Sequence, residues 1–64
     1  MNEQLLLEIM AEKGITINQM CKELGIKRKA FWSKRKGKTE FKQSEIVKII
    51  NLIGVENGNA VFFP

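Results

Sequence analysis

The stretch Thr16-Ile17-Asn18-Gln19-Met20-Cys21-Lys22-Glu23-Leu24-Gly25-Ile26 specifies a short helix followed by a tight turn. Thr16 offers an N-cap hydroxyl and Gln19 stands three residues later, which together form a capping-box pattern. Gly25 can take the left-handed conformation that ends a helix, because it has no Cβ to clash. One face of this helix carries apolar side chains: Met20, Cys21 and Leu24. We therefore predict a helix that begins at Thr16 and stops at Gly25.

Apolar spacing predicts further helices on both sides of this stretch. A first amphipathic helix carries Leu5, Leu6, Ile9 and Met10 and ends at Gly14. A third helix runs from about Lys27 to Lys36, since no helix breaker occurs before Gly37. Phe41 is expected to anchor the loop that follows it. A fourth helix, capped by Ser44 and apolar around most of its circumference, ends at Gly54.

The C-terminal residues 55–64 are expected to form a tail. Glu56-Asn57-Gly58-Asn59 is typical of a turn, and the apolar residues Val61-Phe62-Phe63 follow it. In an extended segment, adjacent side chains point to opposite faces, so one of the two phenylalanines is left for a partner or both wrap onto the core. We predict an all-α, four- to five-helix single domain over residues 1–64. A homodimer interface at Val61, Phe62 and Phe63 is a hypothesis.

The segment from Lys27 to Lys42 concentrates positive charge. It contains eight basic side chains and one acid, Glu40, whereas the whole chain of 64 residues has a net charge of only +4. A small domain can present such a segment as one positive face, and duplex nucleic acid is a common partner for such a face. RNA or an acidic protein partner are the alternatives, and a merely solvated helix face is the simplest one.

A helical wheel divides this segment into two parts. Arg28, Lys29, Trp32, Ser33 and Lys36 share one outward arc, and Arg or Lys side chains can donate to guanine in the major groove. We expect base contacts from Arg28, Lys29 and Ser33. Trp32 is equally compatible with DNA contact and with packing over Phe41. Phosphate contacts are expected at the ends of the second and third helices, from Thr16, Ile17, Asn18, Lys27, Arg35, Lys36 and Lys38.

Residues Thr16 through Gly37 resemble the helix-turn-helix of the Cro and repressor-type (Xre-like) proteins of phages and bacteria. The resemblance depends on Leu24-Gly25-Ile26 at the turn, Phe31 in the next helix and Gly37-Lys38 after it. Flanking residues extend it to the short phage-repressor branch, over most of residues 4–54. It implies a lambda-repressor-like domain that binds operator DNA as a homodimer, with base-reading positions at Arg28, Lys29 and Ser33. A Cro-like regulator, cytoplasmic and nucleoid-associated in a bacterial host, is expected, although a fragment of a longer repressor stays open.

The chain departs from that pattern at several positions. Ile17 stands where a glutamine is common, and Lys27 replaces a serine-type cap. Lys34 and Arg35 occupy positions that are usually more apolar. They imply either a loosely anchored third helix or unusually heavy phosphate contact.

Other classes of function find less support in the composition. There is no histidine and Cys21 is the only cysteine, so we expect no metal site, no cofactor and no disulfide. No paired carboxylates suggest general acid-base chemistry, so we do not expect an enzyme. No run of residues approaches a membrane span. Two alternatives remain, an antitoxin-type autorepressor that uses the Phe62-Phe63 tail, and a basic protein-interaction module.

Overall fold

A computed structural model describes all residues from Met1 to Pro64 and contains five α-helices and no strand. The prediction of an all-α fold is confirmed, and the count is five. The third helix lies within one residue of its predicted limits. The helices are α1 (Glu3–Glu12), α2 (Ile17–Leu24), α3 (Arg28–Arg35), α4 (Gln43–Ile53) and α5 (Val55–Phe62).

The start and end of α2 follow the sequence signals. The Thr16 hydroxyl accepts a hydrogen bond from the Gln19 amide at 3.1 Å, and the Gln19 side chain accepts one from the Thr16 amide at 2.8 Å. Gly25 ends the helix with a φ of +69°, in the left-handed region that favours glycine. Only Gly25, Ile26 and Lys27 separate α2 from α3. The two helices are therefore held in a fixed, tight connection.

The hydrophobic core draws mainly on α1, α2 and α4, whereas α3 and α5 contribute one buried apolar side chain each. Its buried members are Leu6, Ile9, Met10, Met20, Cys21, Leu24, Phe31, Ile49, Ile53 and Val61. Phe31 is the only one of these on α3. Phe41 packs edge-to-face against Phe31 and Phe62, with ring centroids 6.1 Å and 5.9 Å apart. The prediction that Phe41 anchors the loop after α3 is confirmed.

The predicted start of the fourth helix at Ser44 is wrong. Lys42 occupies the N-cap position of α4, and Glu45 is its third residue. The Glu45 carboxylate accepts a hydrogen bond from the Lys42 amide at 2.8 Å. This bond satisfies one of the free amides at the helix start, so a cap formed by the Ser44 hydroxyl is not needed.

The prediction of a turn and an extended tail after Gly54 is also wrong, because residues 55–62 form α5. The Asn57 side chain donates to the Ile53 carbonyl at 2.7 Å and so satisfies the end of α4. Gly58 is buried inside α5, and a Cβ atom at that position would lie 2.5 Å from Cγ1 of Ile50. The Asn-Gly pair therefore serves close packing of α4 on α5 rather than a turn.

Gly58→Ala is expected to destabilise the fold. The added methyl group meets a branched side chain that cannot swing away, and overpacking of this kind costs about 1 to 3 kcal/mol. That cost outweighs the gain of about 1 kcal/mol in helix propensity. The measurement is the free energy of unfolding from urea denaturation.

Asn59→Ala serves as the matched control, since Asn59 is exposed one residue further along α5. It should leave the free energy of unfolding unchanged or raise it slightly. In an Ile50→Ala background, Gly58→Ala should cost less than in the wild type. An equal cost in both backgrounds would show that contact with Ile50 is not the cause.

Candidate functional site

The outward face of α3 is basic, as the wheel predicted. Arg28, Lys29, Trp32 and Lys36 are exposed, while Phe31 is fully buried beneath them. Ser33 is only half-buried, and its carbonyl accepts a hydrogen bond from the Lys38 amide at 2.9 Å. Arg28 and Lys29, in the first turn of α3, are thus more available to a partner than Ser33 is.

The starts of α2 and α3 offer free backbone donors. The amides of Ile17 and Asn18 have no acceptor within the protein, and the same holds for the first three amides of α3. Lys27, the N-cap of α3, makes no side-chain capping bond. The first turns of α1, α4 and α5 each contain a glutamate, whereas those of α2 and α3 contain none. Both ends can therefore accept an outside anion.

Two cations of α3 face inward rather than outward. The Lys34 ammonium lies 2.5 Å from Oε1 of Glu45, and both side chains are largely buried. The carboxylate belongs to the first turn of α4, so this ion pair joins the last turn of α3 to the start of α4. Lys34 stands at a position that is usually more apolar, which agrees with its inward direction, but its partner Glu45 was not foreseen.

The surroundings of Glu45 lower the pKa of its carboxyl group. Burial alone would raise this pKa, because it penalises the charged form. Hydrogen bonds from the Lys34 ammonium and the Lys42 amide, with the positive charges of these two lysines, outweigh burial. Glu45 is therefore a stable anion at neutral pH, held in place from two sides.

A second carboxylate, Glu3 of α1, holds the C-terminal end of α3. Its Oε2 atom accepts from Nη1 of Arg35 at 3.2 Å, and its Oε1 atom accepts from Nζ of Lys36 at 3.0 Å. The Arg35 guanidinium also stacks over the Phe31 ring, 4.8 Å from its centroid. Its side chain is only 11% exposed. The expectation that Arg35 contacts a phosphate is therefore wrong, because its charge is already paired with Glu3 inside the fold.

These two ion pairs also contradict both alternatives that the sequence suggested for Lys34 and Arg35. The third helix is neither loosely anchored nor supplied with two extra phosphate contacts. Both cations instead bind carboxylates of neighbouring helices. An i, i+4 relation between Phe31 and Arg35 was visible in the sequence. The long-range partners Glu3 and Glu45 carried no comparable signal.

Trp32 lies in the outward arc beside the loop that follows α3. Its ring is partly exposed, and the Lys38 ammonium sits 5.1 Å from the ring centroid. The rings that pack against Phe41 are those of Phe31 and Phe62, not Trp32. Trp32 and Lys38 therefore extend the basic face of α3 with an aromatic surface next to a cation.

The three C-terminal residues expected at a homodimer interface behave differently from one another. Val61 is fully buried in the core, so its assignment to an interface is wrong. Phe62 is partly buried and, with Phe41 and Ile46, lines a groove of about 340 Å³. Phe63, just beyond α5, is 70% exposed. Because α5 is helical, its apolar side chains separate by helical angle rather than by alternation.

Comparisons with known proteins leave the family open. A scan against protein-family models gives no match, and searches of curated proteins and of solved structures give no significant match. None of the five helices is long and apolar enough to cross a membrane. No group of three or more metal-ligating side chains that could hold an ion is present.

Lys34→Met is expected to lower the free energy of unfolding by roughly 3 kcal/mol, because it leaves a buried carboxylate without its partner. It should also change the acid response. In the wild type, the lowered pKa of Glu45 gives stability that is present above the ordinary glutamate pKa and lost as pH falls through the folded-state pKa. Without Lys34, that loss on acidification should shrink or reverse. Denaturation across acidic pH measures it.

The double variant Lys34→Met, Glu45→Gln removes both charges and keeps an oxygen that can accept from the Lys42 amide. It should recover most of the lost stability. A double variant as unstable as Lys34→Met would show that packing of the lysine stem, and not the ion pair, is the main contribution.

Proposed function

We propose that this protein is a sequence-specific regulator of transcription that binds double-stranded DNA and reads the major groove with α3. One observation carries the proposal. A capped helix, a three-residue turn ending in a cationic N-cap and a second helix with an exposed basic face follow one another without interruption. This is the arrangement by which a helix-turn-helix presents its second helix to the groove.

The exposed side chains suit distinct duties on a duplex. Arg28 and Lys29 lie in the first turn of α3, which reaches deepest into a groove. The free amides of Ile17 and Asn18 and the exposed Lys27 and Lys38 suit phosphate contact. Thr16 contributes by fixing the helix start, since its hydroxyl is already used in the cap. The resemblance to phage Cro and repressor proteins supports the same function, with a bacterial cytoplasm as the place of action.

Alanine substitutions should separate base reading from phosphate binding. Arg28→Ala or Lys29→Ala should cost about 1 to 3 kcal/mol on a duplex selected from a random pool, and little on unselected duplex. Lys38→Ala should weaken binding to both kinds of duplex about equally. Titrations of wild type and variants against both duplexes, at fixed salt, provide the measurement.

Lys48→Ala is the charge-matched control, because Lys48 is exposed on α4 and belongs to no part of the proposed interface. It should change neither affinity by much. Equal losses on selected and unselected duplex for Arg28→Ala, Lys29→Ala and Lys38→Ala would contradict the division of roles. Failure of the selection to enrich any sequence would favour the protein-interaction module instead.

We also propose that the protein binds DNA as a homodimer, and Phe63 is the residue that favours this. The Phe63 ring is 70% exposed, and its contact with water costs free energy that burial against a second copy can recover. Phe63→Ser should lower the sedimentation mass on DNA and the cooperativity of binding, and leave the free energy of unfolding unchanged. Val61 is unsuitable for this test because it belongs to the core.

The antitoxin-type alternative uses the same exposed ring for a different partner. If Phe63→Ser left the mass and the cooperativity unchanged, a second copy of this chain would not be the partner of Phe63. The proposal of a homodimer through this residue would then be withdrawn, and a partner protein would become the better explanation.

A further inference from the structure

Glu3 stands between the core and the basic face of α3, and its two oxygens hold two cations of different exposure. Arg35 is nearly buried against Phe31, whereas Lys36 is 44% exposed. Glu3 itself is fixed in the first turn of α1, and the preceding Asn2 amide donates to the Val61 carbonyl at 2.7 Å. The carboxylate therefore has a rigid base, one permanent partner and one partner that solvent can reach.

The Arg35 guanidinium is incompletely satisfied in this arrangement. Its Nε atom is buried and has no hydrogen-bond partner, while only Nη1 donates to Glu3. A carboxylate can accept from the two terminal nitrogens of a guanidinium, Nη1 and Nη2, at once, and this bidentate geometry is stronger than a single bond. The oxygen that would complete this pair, Oε1, is occupied by Lys36. Departure of Lys36 would free that oxygen for Nη2, the neighbouring terminal nitrogen of the guanidinium, which makes no bond to Glu3.

We propose that in the free protein the Glu3 carboxylate occupies the place of a DNA phosphate beside Lys36. By doing so, Glu3 increases the preference of the basic face for its selected duplex over random duplex. In the free protein its single negative charge is shared between Arg35 and Lys36, so that this end of α3 adds less to non-specific attraction than two free cations would. When α3 lies in the major groove, a backbone phosphate binds the Lys36 ammonium. Both oxygens of Glu3 then accept hydrogen bonds from Arg35. The inference rests on the proposed function, and its ligand is the duplex phosphate.

The first test compares wild type, Glu3→Gln and Lys36→Gln on selected and on random-sequence duplex over a range of salt. Glu3→Gln should bind random duplex several-fold more tightly, and the slope of log affinity against log salt should steepen by about 0.9, one phosphate contact. Its ratio of selected to random affinity should fall. Lys36→Gln should weaken binding to the selected duplex and leave binding to random duplex nearly unchanged.

Glu12→Gln is the matched control, since it removes the same charge from an exposed position of α1. An equal gain on random duplex for Glu12→Gln and Glu3→Gln would overturn the proposal, because net charge alone would then explain both. Equal losses of affinity for selected and random duplex in Lys36→Gln would also overturn it. Thermal unfolding of each variant, without DNA, identifies any loss of binding that comes from unfolding.

A second measurement needs no DNA and separates this inference from the proposed function. In Lys36→Gln, the Nη2 protons of Arg35 should gain an acceptor at Glu3, and their NMR resonance should move downfield relative to wild type. An unmoved resonance would overturn the exchange at Glu3 even if DNA binding is established. If the wild type binds no duplex at low salt, the proposed function is wrong. A shifted resonance in Lys36→Gln would then show only that Arg35 and Lys36 share the Glu3 carboxylate, and the role of Glu3 in DNA specificity would be overturned.

Discussion

Helix α3 enters the hydrophobic core with a single side chain, Phe31, and this constraint governs much of the structure. Burial of one phenylalanine stabilises an eight-residue helix less than the ordering of its backbone destabilises it. Hydrogen bonds within the helix offset only part of that difference. The ion pairs of Glu3 and Glu45 supply further attachments, one to α1 and one to α4.

These attachments allow α3 to present a mainly cationic outer face, on which Trp32 is the one large exposed apolar side chain. A helix anchored by a wide apolar stripe has fewer positions for cations, because about half of its circumference must carry apolar side chains. Here, inward-facing lysine and arginine replace apolar residues and are neutralised from below by carboxylates. The stems of Lys34 and Arg35 also cover apolar surface while their charged ends are paired. Anchoring and display of charge are thus combined in one short helix.

The sequence allowed much of the fold and of the exposed site to be predicted, because those features depend on nearby residues. The capping box at Thr16, the stop at Gly25 and the outward direction of Arg28 and Lys29 all follow from spacings within one or two turns. Arg35 was misassigned because a cation near a helix end looks the same whether solvent or a carboxylate faces it. Its partner lies 32 residues away. No local rule identifies such a pair.

The tail shows the same division between short-range and long-range information. Asn57 and Gly58 have the local preferences of a turn, yet the structure uses them inside a helix, where one caps α4 and the other admits Ile50. The limits and caps of α2 and the basic face of α3 were determined by the sequence by itself, since propensity and periodicity act over a few residues. Which charges are buried, and why a glycine stands in α5, was decided only by packing, because those properties belong to pairs of helices rather than to any one of them.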